Sequence, residues 1–74
     1  MSHIIYAVLP LAYTFENNQV LDPLGRASNI NQYPLYLTKR AALKHAEREE
    51  STYAEIQGTQ AIKYIHFITY AEQE

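Results

Sequence analysis

The chain has 74 residues, of which 47% are apolar and 19% charged, with a formal net charge of −2 and no cysteine. That apolar content excludes a disordered chain, and the length allows one domain near the lower limit of independent folding. Without cysteine there is neither a disulfide framework nor a thiolate zinc site, so packing, self-association or a partner must supply stability.

The first element runs from Ile4 to Phe15 and is rich in Ile, Val, Tyr and Phe. Ile4, Tyr6 and Val8 share one face, Ile5, Ala7 and Leu9 the other, so a strand covered on both sides is expected. Pro10 cannot donate to a ladder and marks an edge position or a bulge. The run His3 to Leu9 is far shorter than the roughly 18 apolar residues of a membrane span. It also lacks the basic lead and small-residue cleavage pattern of a signal peptide. A soluble, cytoplasmic protein with no membrane partner is expected.

Glu16-Asn17-Asn18-Gln19 reads as a turn, because Asn tolerates positive φ, and Val20-Leu21 begins a short return strand. Asp22-Pro23-Leu24-Gly25 has the residue order of a type I turn. Arg26 to Gln32 has no period and reads as loop with at most one helical turn. Tyr33 to Leu37 is extended, since a residue before proline is pushed to β, and suits a sheet edge.

Thr38 is a natural N-cap, and the residues after it are almost all good helix formers. A helix over about 39–52 is expected, with Ala42, Leu43, Ala46 and Tyr53 on its apolar stripe and Ile56 extending it. Gly58 is the expected stop. Residues 61–70 form the clearest strand, apolar on both faces, and are expected at the centre of the sheet. The fold class is therefore α+β: a single domain, 1–74, with one helix on a mainly antiparallel sheet of three or four strands in the order β-β-extended-α-β.

Charge is sorted along this order. Residues 1–25 carry Glu16 and Asp22. Residues 26–48 carry Arg26, Lys39, Arg40, Lys44 and Arg48 against Glu47 alone. Residues 49–74 carry Glu49, Glu50, Glu55, Glu72 and Glu74 against Lys63. Such a dipole acts on docking orientation and association rate rather than on fold. Lys39 and Arg40 also sit in the first helical turn, where the macrodipole disfavours cations, and Glu49 and Glu50 late, where it disfavours anions.

Catalytic frames are missing. Ser2, Ser28 and Ser51 lie outside any Gly-x-Ser-x-Gly pattern, and two glycines, Gly25 and Gly58, cannot form a phosphate loop. His45 and Glu49 are one helical turn apart and could supply two metal ligands, but a site needs more donors, from His3 or His66. No enzyme, cofactor or metal is expected.

Binding is the remaining class. Seven tyrosines offer rigid contact area with a polar tip, and Tyr13, Tyr33 and Tyr36 beside prolines and loops are expected to be exposed. Tyr6, Tyr53, Tyr64 and Tyr70 are assigned to the core or its margin. The candidate contact residues are Tyr33, Tyr36, Lys39, Arg40, Lys44, Glu49, Glu50, Glu55, Glu72 and Glu74. In size, acidity and lack of cysteine and catalytic parts, the chain resembles the small proteins that bacteriophages encode to block host machinery, anti-CRISPR proteins among them. That resemblance implies a non-enzymatic inhibitor of a larger host protein or nucleoprotein complex, presenting acidic residues in place of phosphates. A homodimer is a further partner to test. The alternative is direct nucleic-acid binding by the basic helix 38–48 with Tyr33 and Tyr36 as stacking platforms, against which stands a pI of about 5.9.

Overall fold

Period-two alternation in the first strand sends neighbouring side chains to opposite faces, and both faces are covered. The computed structural model describes residues 3–67. In chain order its elements are β1 (Ile4–Leu9), β2 (Thr14–Glu16), β3 (Gln19–Leu21), β4 (Ala27–Asn29), a 3-10 turn (Ile30–Gln32), β5 (Leu35–Tyr36), α1 (Lys39–Glu49), β6 (Thr52–Gln57) and β7 (Gln60–His66). The strands join one sheet in the order β4-β3-β2-β7-β6-β1-β5. Every pairing is antiparallel.

The α+β class and the single helix agree with expectation, but the sheet has seven strands rather than three or four. Two of the extra members, β2 and β4, are only three residues long, too short for periodicity to announce, and the third, β6, lies where the helical stripe was expected to continue. Ile4 to Phe15 is not one element: the chain breaks after Leu9, and Pro10 begins a turn closed by the Tyr13 N–H to the Pro10 carbonyl. Residues 26–32, expected as loop, contain β4 and the 3-10 turn.

The helix is also shorter than expected. It starts as predicted, with Thr38 accepting from the Ala41 N–H at 3.3 Å. It ends at Glu49 because Glu50 adopts a left-handed conformation, φ 55° and ψ 42°. The Ser51 N–H then reaches the Ala46 carbonyl at 2.9 Å and the Glu50 N–H the Glu47 carbonyl, the paired bonds of a Schellman ending. Tyr53 and Ile56, read as a continuation of the helical stripe, lie instead on β6 and face opposite sides of the sheet. Gly58, φ 65°, opens the two-residue β6–β7 hairpin rather than stopping a helix. The Asn17-Asn18 turn is as expected, both residues having positive φ.

Alternation along β1 and β6 divides the core in two. Ala7, Leu9, Ala54 and Ile56 pack with Phe15, Val20 and Ile30 where the β2–β3–β4 meander crosses one face. Val8 and Tyr53 pack with Ala42 and Ala46 under α1 on the other. The two alanines let the helix backbone approach closely enough for Tyr53 to be enclosed. The strand expected at 61–70 occupies 60–66 among the described residues, with residues 68–70 outside them.

Candidate functional site

Tyr33, Pro34 and the end of α1 line a shallow cleft, beside the contact between Tyr36 and His45. β5 runs antiparallel to β1, with Tyr6 opposite Tyr36, and the chain then reverses through Thr38 so that α1 returns across β1. This brings His45 over Tyr36: the Tyr36 hydroxyl lies 2.7 Å from His45 Nδ1, and the rings meet edge to face at 5.7 Å. His45 Nε2 is 3.6 Å from Glu49 Oε1 on the next helical turn. The cleft beside them has a volume of about 150 Å³, between Pro10, Tyr33 and Pro34 on one side and His45, Glu49 and Ser51 on the other. Small-molecule sites run to about 300–1,000 Å³, so this cleft fits at most one side chain. Among the described residues no three His, Asp or Glu side chains converge on a point where a metal could sit.

The tyrosines depart from expectation. Tyr13, Tyr33 and Tyr36 are half-buried rather than exposed. Tyr33 packs edge-on to Tyr13 at 6.3 Å against the meander cluster, its hydroxyl 3.3 Å from Ser28 Oγ. Tyr36 belongs to the helix cluster. Two tyrosines on opposite sides of the sheet cannot form one stacking platform. Tyr64, assigned to the core, is instead 38% exposed.

The charged candidates separate as well. Lys39, Arg40, Lys44, Glu49 and Glu50 are exposed on α1 or its cap. Glu55 is half-buried on β6, opposite Tyr6 on one side and Lys63 on the other, six residues after the helix end at Glu49. Glu72 and Glu74 lie outside the described residues. Desolvation and, after it, the Glu55 charge push the Tyr53 phenol above its ordinary value.

The residues that sequence reasoning passed over are on β7. Its ladder with β6 runs from Gln57–Gln60 to Thr52–His66, with a bulge that leaves Ile62 unmatched between Glu55–Lys63 and Ile56–Ala61. With β2 it shares a single pair, Glu16–Gln60. Past that pair β2 turns away across the sheet face. The Tyr64 hydroxyl takes over, donating to the Phe15 carbonyl at 3.0 Å and accepting the Phe15 N–H. A side chain thus satisfies β2 where a strand would. From Ile62 to His66 the outward edge of β7 has no strand partner among the described residues, and Ile62 is 51% exposed beside it. The one sequence signal was apolar content on both faces, which was read as a central position in the sheet; β7 does lie fourth of the seven strands, between β2 and β6, but most of its residues are exposed. Lys63 is the only formal charge along this stretch, and proline is absent from it, so little guards the edge beyond the bulge.

Comparison with known protein families, with curated proteins and with solved structures returned no match to the chain.

Proposed function

We propose that this chain is a non-enzymatic protein-binding module that accepts an extended segment of a larger partner as an added strand along β7, and inhibits by withholding that segment from assembly. The observation that carries the reading is the β7 edge over Ile62–His66, which has no strand partner among the described residues, with exposed Ile62 and Tyr64 flanking it. Strand addition takes affinity from main-chain hydrogen bonds and specificity from alternate side chains. Here the incoming strand would extend two faces already built. Lys63 and Ile65 share the α1 side with Tyr53, and Tyr64 and His66 the meander side with Ala54.

Hydrogen exchange tests it. The complex is recovered by affinity capture with the purified chain, and amide protection is compared free and bound. Protection gained over residues 62–66, with binding weakened at least tenfold by Ile62→Lys, supports the reading. Protection confined to α1 or to the Tyr33–His45 cleft, with residues 62–66 unchanged, overturns it.

A further inference from the structure

A second surface, independent of β7, is the outward side of α1. At 3.6 residues per turn, Arg40, Lys44 and Arg48 fall within about 40° of the direction opposite buried Ala42 and Ala46, successive members about 6 Å apart along the axis. All three are exposed, as is Lys39 at the helix start. Among the described residues none of the four has a carboxylate oxygen within 4.0 Å. Glu47 shares the solvent side, and no acidic residue occupies the first turn.

This arrangement works against the helix itself. Arg40–Lys44 and Lys44–Arg48 are like-charged pairs one turn apart, each disfavoured by a few tenths of a kcal/mol. Lys39 and Arg40 face the positive end of the macrodipole. An anion laid along the stripe relieves every one of these repulsions together. Which anion follows from what the stripe lacks. Protein contacts centre on a buried aromatic or aliphatic anchor, and the line Arg40–Lys44–Arg48 contains none. Tyr33 and Tyr36 are packed into the two cores, so bases have no platform on which to stack. A row of cations with no carboxylate partner among the described residues, and without apolar centre or stacking partner, fits a regular polyanion.

We infer that the outward face of α1 binds the sugar-phosphate backbone of nucleic acid, without reading sequence. The overall acidity of the chain is not spread evenly over this stripe: Glu47 is the acidic residue on its solvent side, Glu49 and Glu50 follow Arg48 at the helix end, and the first turn carries none.

The test is a fluorescence-anisotropy titration of labelled single-stranded and duplex oligonucleotides across a salt series. With three phosphates neutralised, the slope of log affinity against log salt is about −2.7 for duplex and −2.1 for single strands. That is a loss of about 40-fold or 20-fold between 50 and 200 mM salt. The two slopes tell the forms apart. Lys44→Gln should make the slope shallower by about one, and the triple change Arg40→Gln, Lys44→Gln, Arg48→Gln should abolish binding with the helical circular dichroism retained. Should the triple variant fail to fold, the three single variants carry the same test through their slopes. Absence of binding by the wild-type chain at low salt overturns the inference. So does binding whose slope the variants leave unchanged, or displacement by polyglutamate as effective as by oligonucleotide, which would make the ligand an acidic protein. None of these outcomes depends on β7, whose strand-addition reading stands or falls separately.

Discussion

On the α1 side of the sheet the buried residues are Val8, Ala42, Ala46 and Tyr53, whereas the meander side buries Ala7, Leu9, Phe15, Val20, Ile30, Ala54 and Ile56. The first cluster is one large ring enclosed by small residues. The second is a set of medium aliphatic and aromatic groups from five elements. Burial that rests on one ring is lost all at once when the ring goes. Burial shared among many side chains can relax around a gap, which is why cavity penalties vary with the site. The helix side is therefore a matter of fit and the meander side a matter of number.

Tyr53→Ala attacks the comparison at its strongest point. Removing a large buried ring costs about 3–5 kcal/mol, of the order of the whole stability of so small a domain. The chain should be largely unfolded at room temperature by circular dichroism. Ile56→Ala, on the meander side of the same strand, should cost about 2–3 kcal/mol and leave a cooperative melt. Where both variants fold, amide exchange in α1 should accelerate in Tyr53→Ala and change little in Ile56→Ala. Equal exchange in the two would remove the distinction between the clusters.

Ala46→Leu sharpens it from the opposite direction. Added volume in a packed site costs about 1–3 kcal/mol, and Ala46 has no exposed surface into which a larger side chain could turn. Chemical denaturation should show a lower midpoint with an unchanged slope. Ala42→Leu should behave alike, since both alanines face Tyr53.

How much of this was legible beforehand follows the same division. The start of α1 was visible because Thr38 caps through its own side chain, and the Asn17-Asn18 turn because Asn accepts positive φ. Both signals are local. The end of α1 was hidden because a glutamate, not a glycine, takes the left-handed position, and Tyr53 and Ile56 happen to keep the helical spacing. β4 was hidden because Ala27-Ser28-Asn29 has no strand preference and pairs only because β3 lies beside it. The cationic candidates on α1 were readable, being side chains on the outside of a recognisable helix. Exposure of the tyrosines was not, since the His45–Tyr36 contact and the Tyr13–Tyr33 contact depend on which strands meet. The edge of β7 that has no strand partner among the described residues was the least readable, because a missing neighbour leaves no mark in the residues themselves.

Glu50 is where that hidden ending can be measured. A side chain in the left-handed region costs about 1–2 kcal/mol relative to the right-handed one, a penalty glycine escapes. Part is returned as glycine's extra freedom in the unfolded chain, so Glu50→Gly should stabilise by about 0.5–1 kcal/mol. A rise of about 4 °C in melting temperature would report it. Glu50→Ala separates backbone from charge: it keeps the strain and removes only the carboxylate, so it should give no comparable gain. Ala12, φ 71° in the β1–β2 turn, offers the matching site on the meander side, and Ala12→Gly should act in the same direction.

The smallest effect belongs to Asp22, which closes the turn between β3 and β4. Its Oδ1 accepts the Leu24 and Arg26 N–H groups, each at 2.9 Å, and Oδ2 meets Arg26 Nε at 3.2 Å. The Arg26 backbone N–H, ahead of the Leu24 N–H and the guanidinium charge, holds the carboxyl below its ordinary value of 3.8. Because the folded form favours the carboxylate, the stabilisation is complete above pH 3.8 and is lost as pH falls through the folded-state value. The exposed Arg26 side chain, screened by solvent, keeps it small. Asp22→Asn retains an oxygen for both N–H groups but no titrating charge. Melting temperature should therefore fall more steeply with acidification in the wild type than in this variant, with the two curves converging below the folded-state value. A carboxyl carbon shift that titrates at 3.8 in the folded chain would show instead that these bonds do not bias the proton. In that case the meander is held at this turn by geometry alone.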